Sequence, residues 1–122
     1  MRLQKLVYYC QAWGLVWDDK PLFKEEIEAW VNGPVVPELY EFHTGRFNIK
    51  TCSKGNSSKL SNNQKDTINA VLKAYRKKST QWLIDLTHME DPWIKSRIGL
   101  VPSERGDNLI SWESMKEYYS GL

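Results

Sequence analysis

GPVVPELY, residues 33–40, is the stretch on which the reading of this chain turns. Glycine accepts the left-handed backbone that ends a helix, and a following proline cannot continue one. Each proline also pushes its predecessor, here Gly33 and Val36, towards extended geometry. Pro37 suits the first turn of a new helix, where its missing N–H is not needed. The stretch is a stop-and-restart corner. One element ends at Asn32-Gly33, Val35 and Val36 run extended, and a short helix is expected over 38–43. That helix would end at Gly45, with Leu39, Tyr40 and Phe42 facing inward.

On the N-terminal side of the corner, Leu3, Leu6, Val7, Cys10 and Trp13 recur at helical spacing. They predict an amphipathic helix ending near residues 14–17, with Gln4, Lys5 and Gln11 elsewhere on its surface. Asp18-Asp19-Lys20-Pro21 is a turn. Residues 22–30 mix acids with apolar positions and fit either a short helix or a helix-to-strand stretch. On the other side, 46–51 alternates like a short strand, and 53–59 is a polar loop.

The clearest helix is expected over 61–78, with a Ser61/Gln64 capping box and a buried stripe of Ile68, Val71, Leu72 and Tyr75. A further helix over 81–89 is expected to bury Trp82, Leu83 and Leu86. Asp91-Pro92 reads as N-cap and first position of a short helix, and 99–108 as a loop. A last helix from Ser111 carries an Ile110/Met115 staple, packs Trp112, Met115 and Tyr119 inward and closes at Gly121. These elements predict a mainly α fold: a compact single-domain helical bundle over 1–122 with at most a small β element near residues 22–51.

The chain has 122 residues and a formal net charge of +2. Residues 51–80 hold seven Lys/Arg against one acid, between two mildly acidic parts. On the last helical turn, Arg76, Lys77 and Lys78 complement the helix macrodipole. The cations of this block are spread around the helix, which disfavours a nucleic-acid stripe. Cys10 and Cys52 read as reduced thiols of a cytoplasmic protein. The N-terminal apolar run is interrupted by Gln4 and Gln11, lacks a small-residue cleavage site, and is too short for a membrane span.

His88, Glu90 and Asp91 lie close in sequence but lack the one-turn spacing of a ligand pair, so no metal is expected. Thr87 and His88 are expected to bond backbone at a helix end. No G-x-S-x-G, no phosphate loop and no cysteine with an acid–base partner is present, so no catalytic residue and no cofactor is assigned.

Several stretches together resemble one family. LQKLVYYCQAW (3–13), KPLFKEEIEAWVNGPVVPELYEFHTG (20–45), LTHMEDPW (86–93) and ISWESMKEYY (110–119) are similar to the Panacea domain, the SocA-like, phage-associated family. The resemblance implies a mainly helical antitoxin that neutralises a cognate toxin protein by direct contact, is encoded on prophages or other mobile elements, and has no catalytic centre. It also implies a further helix ahead of Leu3, so the first apolar stripe is expected to be left partly uncovered, the gap being filled by a homodimer or by the toxin.

Partner binding is then expected at Gln4, Lys5 and Tyr8, at Val35, Val36, Glu38 and Glu41, and at His88. Trp30, Gly33, Pro34, Pro37, Tyr40, Thr87, Pro92 and Trp93 are expected to shape the fold. The competing reading is a regulator binding operator DNA through 51–80, or a proteolytic adaptor.

Overall fold

A computed structural model describes residues 2–39, 62–101 and 104–122. The expected strand at 46–51, the loop at 53–59, the cap at Ser61, and the residues Tyr40, Glu41, Phe42, His43 and Cys52 lie outside them. The chain is mainly helical. In order come α1 (Arg2–Trp17), β1 (Glu28–Trp30), β2 (Gly33–Val35), α2 (Asn62–Tyr75), α3 (Thr80–His88), α4 (Asp91–Ser96) and α5 (Trp112–Ser120). Residues 37–39 are helical, as Pro37 at a first turn predicts. The stretch 22–30 is not a helix: it is irregular up to Ile27 and then extended.

The hairpin is antiparallel, with Glu28 opposite Val35, Ala29 opposite Pro34 and Trp30 opposite Gly33. Its alternation is visible in β1, where Ala29 is buried between half-buried Glu28 and Trp30.

The first helix differs most from its expected form. It buries ten of its sixteen residues, Gln4, Lys5 and Gln11 among them, so no side of it is a solvent face. It is the central helix of the domain, packed on α2, α5 and the hairpin. Most of the apolar stripe expected to be uncovered is covered by this chain itself: Leu6 and Cys10 are buried, Val7 and Trp13 pack partly buried against the core, and Leu3 is half-buried.

Two of the indoles expected inside are outside. Trp82 is 41% exposed and Trp112 is 39% exposed, while Leu83, Met115 and Tyr119 fill the core. Trp82 sits beside Leu83, which takes the inward direction, and on α5 Met115 and Tyr119 take it. Burial pushes the Cys10 thiol up to about 11, so it is a packing group rather than a nucleophile.

The caps follow local chemistry. Ser79 Oγ accepts from Trp82 N at 3.0 Å. Glu90, not Asp91, is the N-cap of α4, which places Pro92 one position deeper than expected. Ser111 Oγ accepts from Ser114 N at 3.1 Å, and the Ile110/Met115 pair around it is buried. Ser111→Ala is expected to cost about 1 kcal/mol, read as a lower urea midpoint at unchanged m-value.

Candidate functional site: a polar core behind a surface cleft

A two-stranded hairpin leaves two edges of backbone groups that must be satisfied. Here side chains close much of both. Pro34 has no N–H to leave unpaired, and its carbonyl accepts from Lys5 Nζ at 3.0 Å. One residue on, the Gln4 amide clasps Val36: Val36 N donates to Oε1 at 2.9 Å, and Nε2 donates to Val36 O at 3.4 Å. Gln11 repeats the device two turns along α1, accepting from Leu22 N at 2.7 Å and donating to Phe23 O at 3.0 Å.

On the opposite edge, Ala29 N donates to Asn108 O at 2.8 Å and Ile110 N donates to Ile27 O at 2.8 Å. The Ala29 carbonyl accepts from Arg97 Nη1 at 2.8 Å, and the Trp30 carbonyl accepts from Trp93 Nε1 at 2.8 Å.

Gly33 is where the motifs touch. Its φ is +115°, and a Cβ there would lie 2.6 Å from Lys5 Cε and 2.9 Å from Thr87 Oγ1. The GPVVP corner therefore rests directly on α1 and on the end of α3. Lys5 is 0% exposed, and burial lowers its ammonium to about 8. Thr87 donates to Ile84 O at 2.9 Å, the helix-end backbone bond expected of it. His88 stacks on Trp93 with ring centroids 4.1 Å apart. Burial, and then the Lys5 charge, hold the imidazole below its ordinary pKa, so it is the neutral ring that packs there.

Behind the corner lies a buried carboxyl. Glu90 is 6% exposed, and its Oε1 accepts from Tyr9 at 2.6 Å and from Tyr119 at 2.8 Å. The Tyr8 and Tyr119 hydroxyls are 3.0 Å apart. Because Tyr119 directs its proton to Glu90, Tyr8 donates to Tyr119. Tyr75 stacks on Tyr9 at 4.5 Å and completes an aromatic sheath. Burial raises the Glu90 carboxyl, and the two phenol bonds lower it in part. The neighbours His88, Glu90 and Asp91 thus face three separate partners: an indole, a pair of phenols, and Lys95 at 3.8 Å.

On the surface, the hairpin and residues 105–107 form a cleft of about 720 Å³. One wall is Glu28, Trp30 and the 31–32 turn, and the other is residues 105–107. Trp30 Nε1 donates to Glu28 Oε1 at 2.8 Å. Arg97, 5% exposed, bridges β1 to the segment that leads into the 105–107 wall. It donates to Ala29 O on one side, and to Val101 O and Glu104 O on the other.

A Cβ on Gly106 would lie 2.6 Å from Leu100 Cδ1, so the far wall is seated closely on Leu100. Among the described residues, Arg105 and Asp107 form no ion pair.

The residues expected to meet a partner divide accordingly. Gln4, Lys5, Tyr8, Val35 and Val36 are buried and offer no surface: the polar ones are hydrogen-bonded within the chain. Their placement as a contact surface is corrected, because backbone groups of the hairpin needed these polar atoms more than solvent did. Glu38 is exposed, His88 is half-buried, and Glu41 lies outside the described residues.

Of the residues expected to shape the fold, Gly33, Pro34, Thr87, Pro92 and Trp93 are buried around the corner, and Trp30 and Pro37 are half-buried. Sequence reading missed Tyr9, Gln11, Glu90, Arg97 and Tyr119. One signal was present: two glutamines seven residues apart in a mostly apolar helix share a face, and two polar groups on a buried face have backbone to satisfy.

Residues 3–94 match the model of the antitoxin SocA-like, Panacea domain family, and the chain belongs to that family. No curated protein and no solved structure matches the chain. The match ends at Ile94, so Arg97, the 105–107 wall of the cleft and α5 lie beyond it. Among the described residues, no helix is long and apolar enough to cross a membrane.

Proposed function

We propose that this protein is the antitoxin of a toxin–antitoxin pair, encoded on a prophage or other mobile element, and that it neutralises a protein toxin by direct binding. The observation that carries this is its membership of the SocA-like Panacea family over residues 3–94. The site supports a binding protein rather than a catalyst. The polar side chains of the matched motifs hold backbone and one another, as Gln4, Lys5 and the Glu90 cluster show.

Coexpression with the small open reading frame beside its gene tests the proposal. Growth arrest by that product alone, relieved by this protein and accompanied by a co-purifying complex, is the expected result. A product that is harmless alone, or toxic in both conditions, refutes it.

One observation favours a second reading, a DNA-binding regulator. Lys73, Arg76, Lys77 and Lys78 are all exposed, and Lys78 lies 4.7 Å from the ring centroid of Trp82. That reading requires operator binding that falls steeply with salt. A flat or absent gel shift at low salt removes it.

A further inference from the structure

We propose that the cleft between the hairpin and residues 105–107 is the partner-docking site, and that it receives an arginine-bearing segment protruding from a protein partner. This rests on the antitoxin reading and adds the place and the chemistry of contact.

Size comes first. At about 720 Å³ the cleft exceeds what a lone ion or a single side chain fills, and suits a few residues of a peptide segment. Construction comes second. The two walls come from distant parts of the chain and are held together by backbone bonds from Ala29 N to Asn108 O and from Ile110 N to Ile27 O, so the cleft is preformed. A preformed site costs little ordering on binding.

Charge then selects the occupant. Glu28 and Asp107 supply two carboxylates, one on each wall, and the one cation among the described lining residues, Arg105, pairs with neither. Two carboxylates beside an indole suit a guanidinium, which is planar, always charged and able to bond carboxylates through paired donors. Arg105, exposed in the same lining, can donate to main-chain carbonyls of the same segment.

The division of the walls bears on specificity. The Glu28–Asn32 wall lies inside the family match, and the 105–107 wall lies beyond it. Family scaffold thus meets a loop outside the matched region across one cleft, and the loop is where discrimination between toxins would reside.

Trp30 gives a direct reporter, because its indole N–H is bonded to Glu28. The full-length protein is titrated with N-acetyl-arginine amide while the indole N–H signals are followed by NMR, Trp30 being assigned by Trp30→Phe. A saturable shift of the Trp30 signal is expected. The neutral isostere N-acetyl-citrulline amide, and the Glu28→Gln/Asp107→Asn variant titrated with the arginine probe, should both lose it. A shift that does not saturate, or that survives in either control, overturns the proposal.

The same double variant is then coexpressed with the toxin. Lost neutralisation at an unchanged melting temperature supports the cleft. Retained neutralisation overturns it and leaves the antitoxin reading standing. If the wild-type protein itself fails to neutralise, the antitoxin reading falls, and the charge-dependent arginine shift alone decides whether the cleft is a guanidinium site.

Discussion

Replacing Gly33 by alanine should lower the unfolding free energy by roughly 2–5 kcal/mol, combining the cost of a side chain at positive φ with that of overpacking. Both terms come from one place. The backbone sits at φ +115°, and the new methyl would meet Lys5 Cε at 2.6 Å and Thr87 Oγ1 at 2.9 Å. Lys5 cannot simply swing away. Its ammonium holds the Pro34 carbonyl at 3.0 Å inside a dry site, and moving it strands a buried cation and a buried acceptor together.

Urea denaturation should show a large fall in midpoint, and neutralisation should weaken in parallel with stability. The contrast with the cleft is diagnostic: Glu28→Gln keeps the Oε1 acceptor for Trp30 and Asp107→Asn alters an exposed group, so the double variant should leave the midpoint in place. A Gly33→Ala protein of wild-type stability would refute the close packing of the corner on α1.

The same corner shows how much the sequence disclosed. Pro34, Pro37 and Gly33 act through their own backbones, so a turn followed by a helical restart was readable from local rules, as were the Ser111 cap and its staple. The direction of burial in α1 was not readable in that way. Gln4, Lys5 and Gln11 have the polarity of surface residues, and only the hairpin packed on them, some thirty residues away in sequence for Gln4 and Lys5, converts them into interior hydrogen-bonding groups.

Glu90 shows the same limit. In LTHMEDPW it looks like a solvated acid next to a proline, and its role depends on Tyr9 and Tyr119 arriving from the two ends of the chain. The cleft was invisible for a related reason: its walls are brought together by the tertiary pairing of Ile27 and Ala29 with Asn108 and Ile110, which carries no local signature. Lone polar residues are legible when they act on neighbours in sequence, and illegible when their partners are tertiary.

Glu90 carries the second large effect, and its two obvious variants should part company. Glu90→Ala removes the acceptor for two buried hydroxyls, each costing about 1–3 kcal/mol when unsatisfied, so a loss of roughly 2–6 kcal/mol is expected. Against a total of about 5–15 kcal/mol for a domain, that brings the protein to the edge of folding. Glu90→Gln keeps Oε1 as acceptor for Tyr9 and Tyr119 and removes only the titration.

The sign of its pH dependence follows from the shift. Burial raises the folded carboxyl above its ordinary value of 4.5, so over a window starting there the native state holds a proton that the unfolded chain has released. Stability from this group is complete below the unfolded value and is lost as pH rises through the folded one. Unfolding at about pH 4 and again at about pH 8 should therefore show Glu90→Gln gaining on wild type at the higher pH. The wild-type cluster pays for an ionised carboxylate there and the amide does not. A difference between the two proteins that is constant with pH would mean that Glu90 is solvated as an ordinary surface acid, and that the tyrosine cluster does not enclose it.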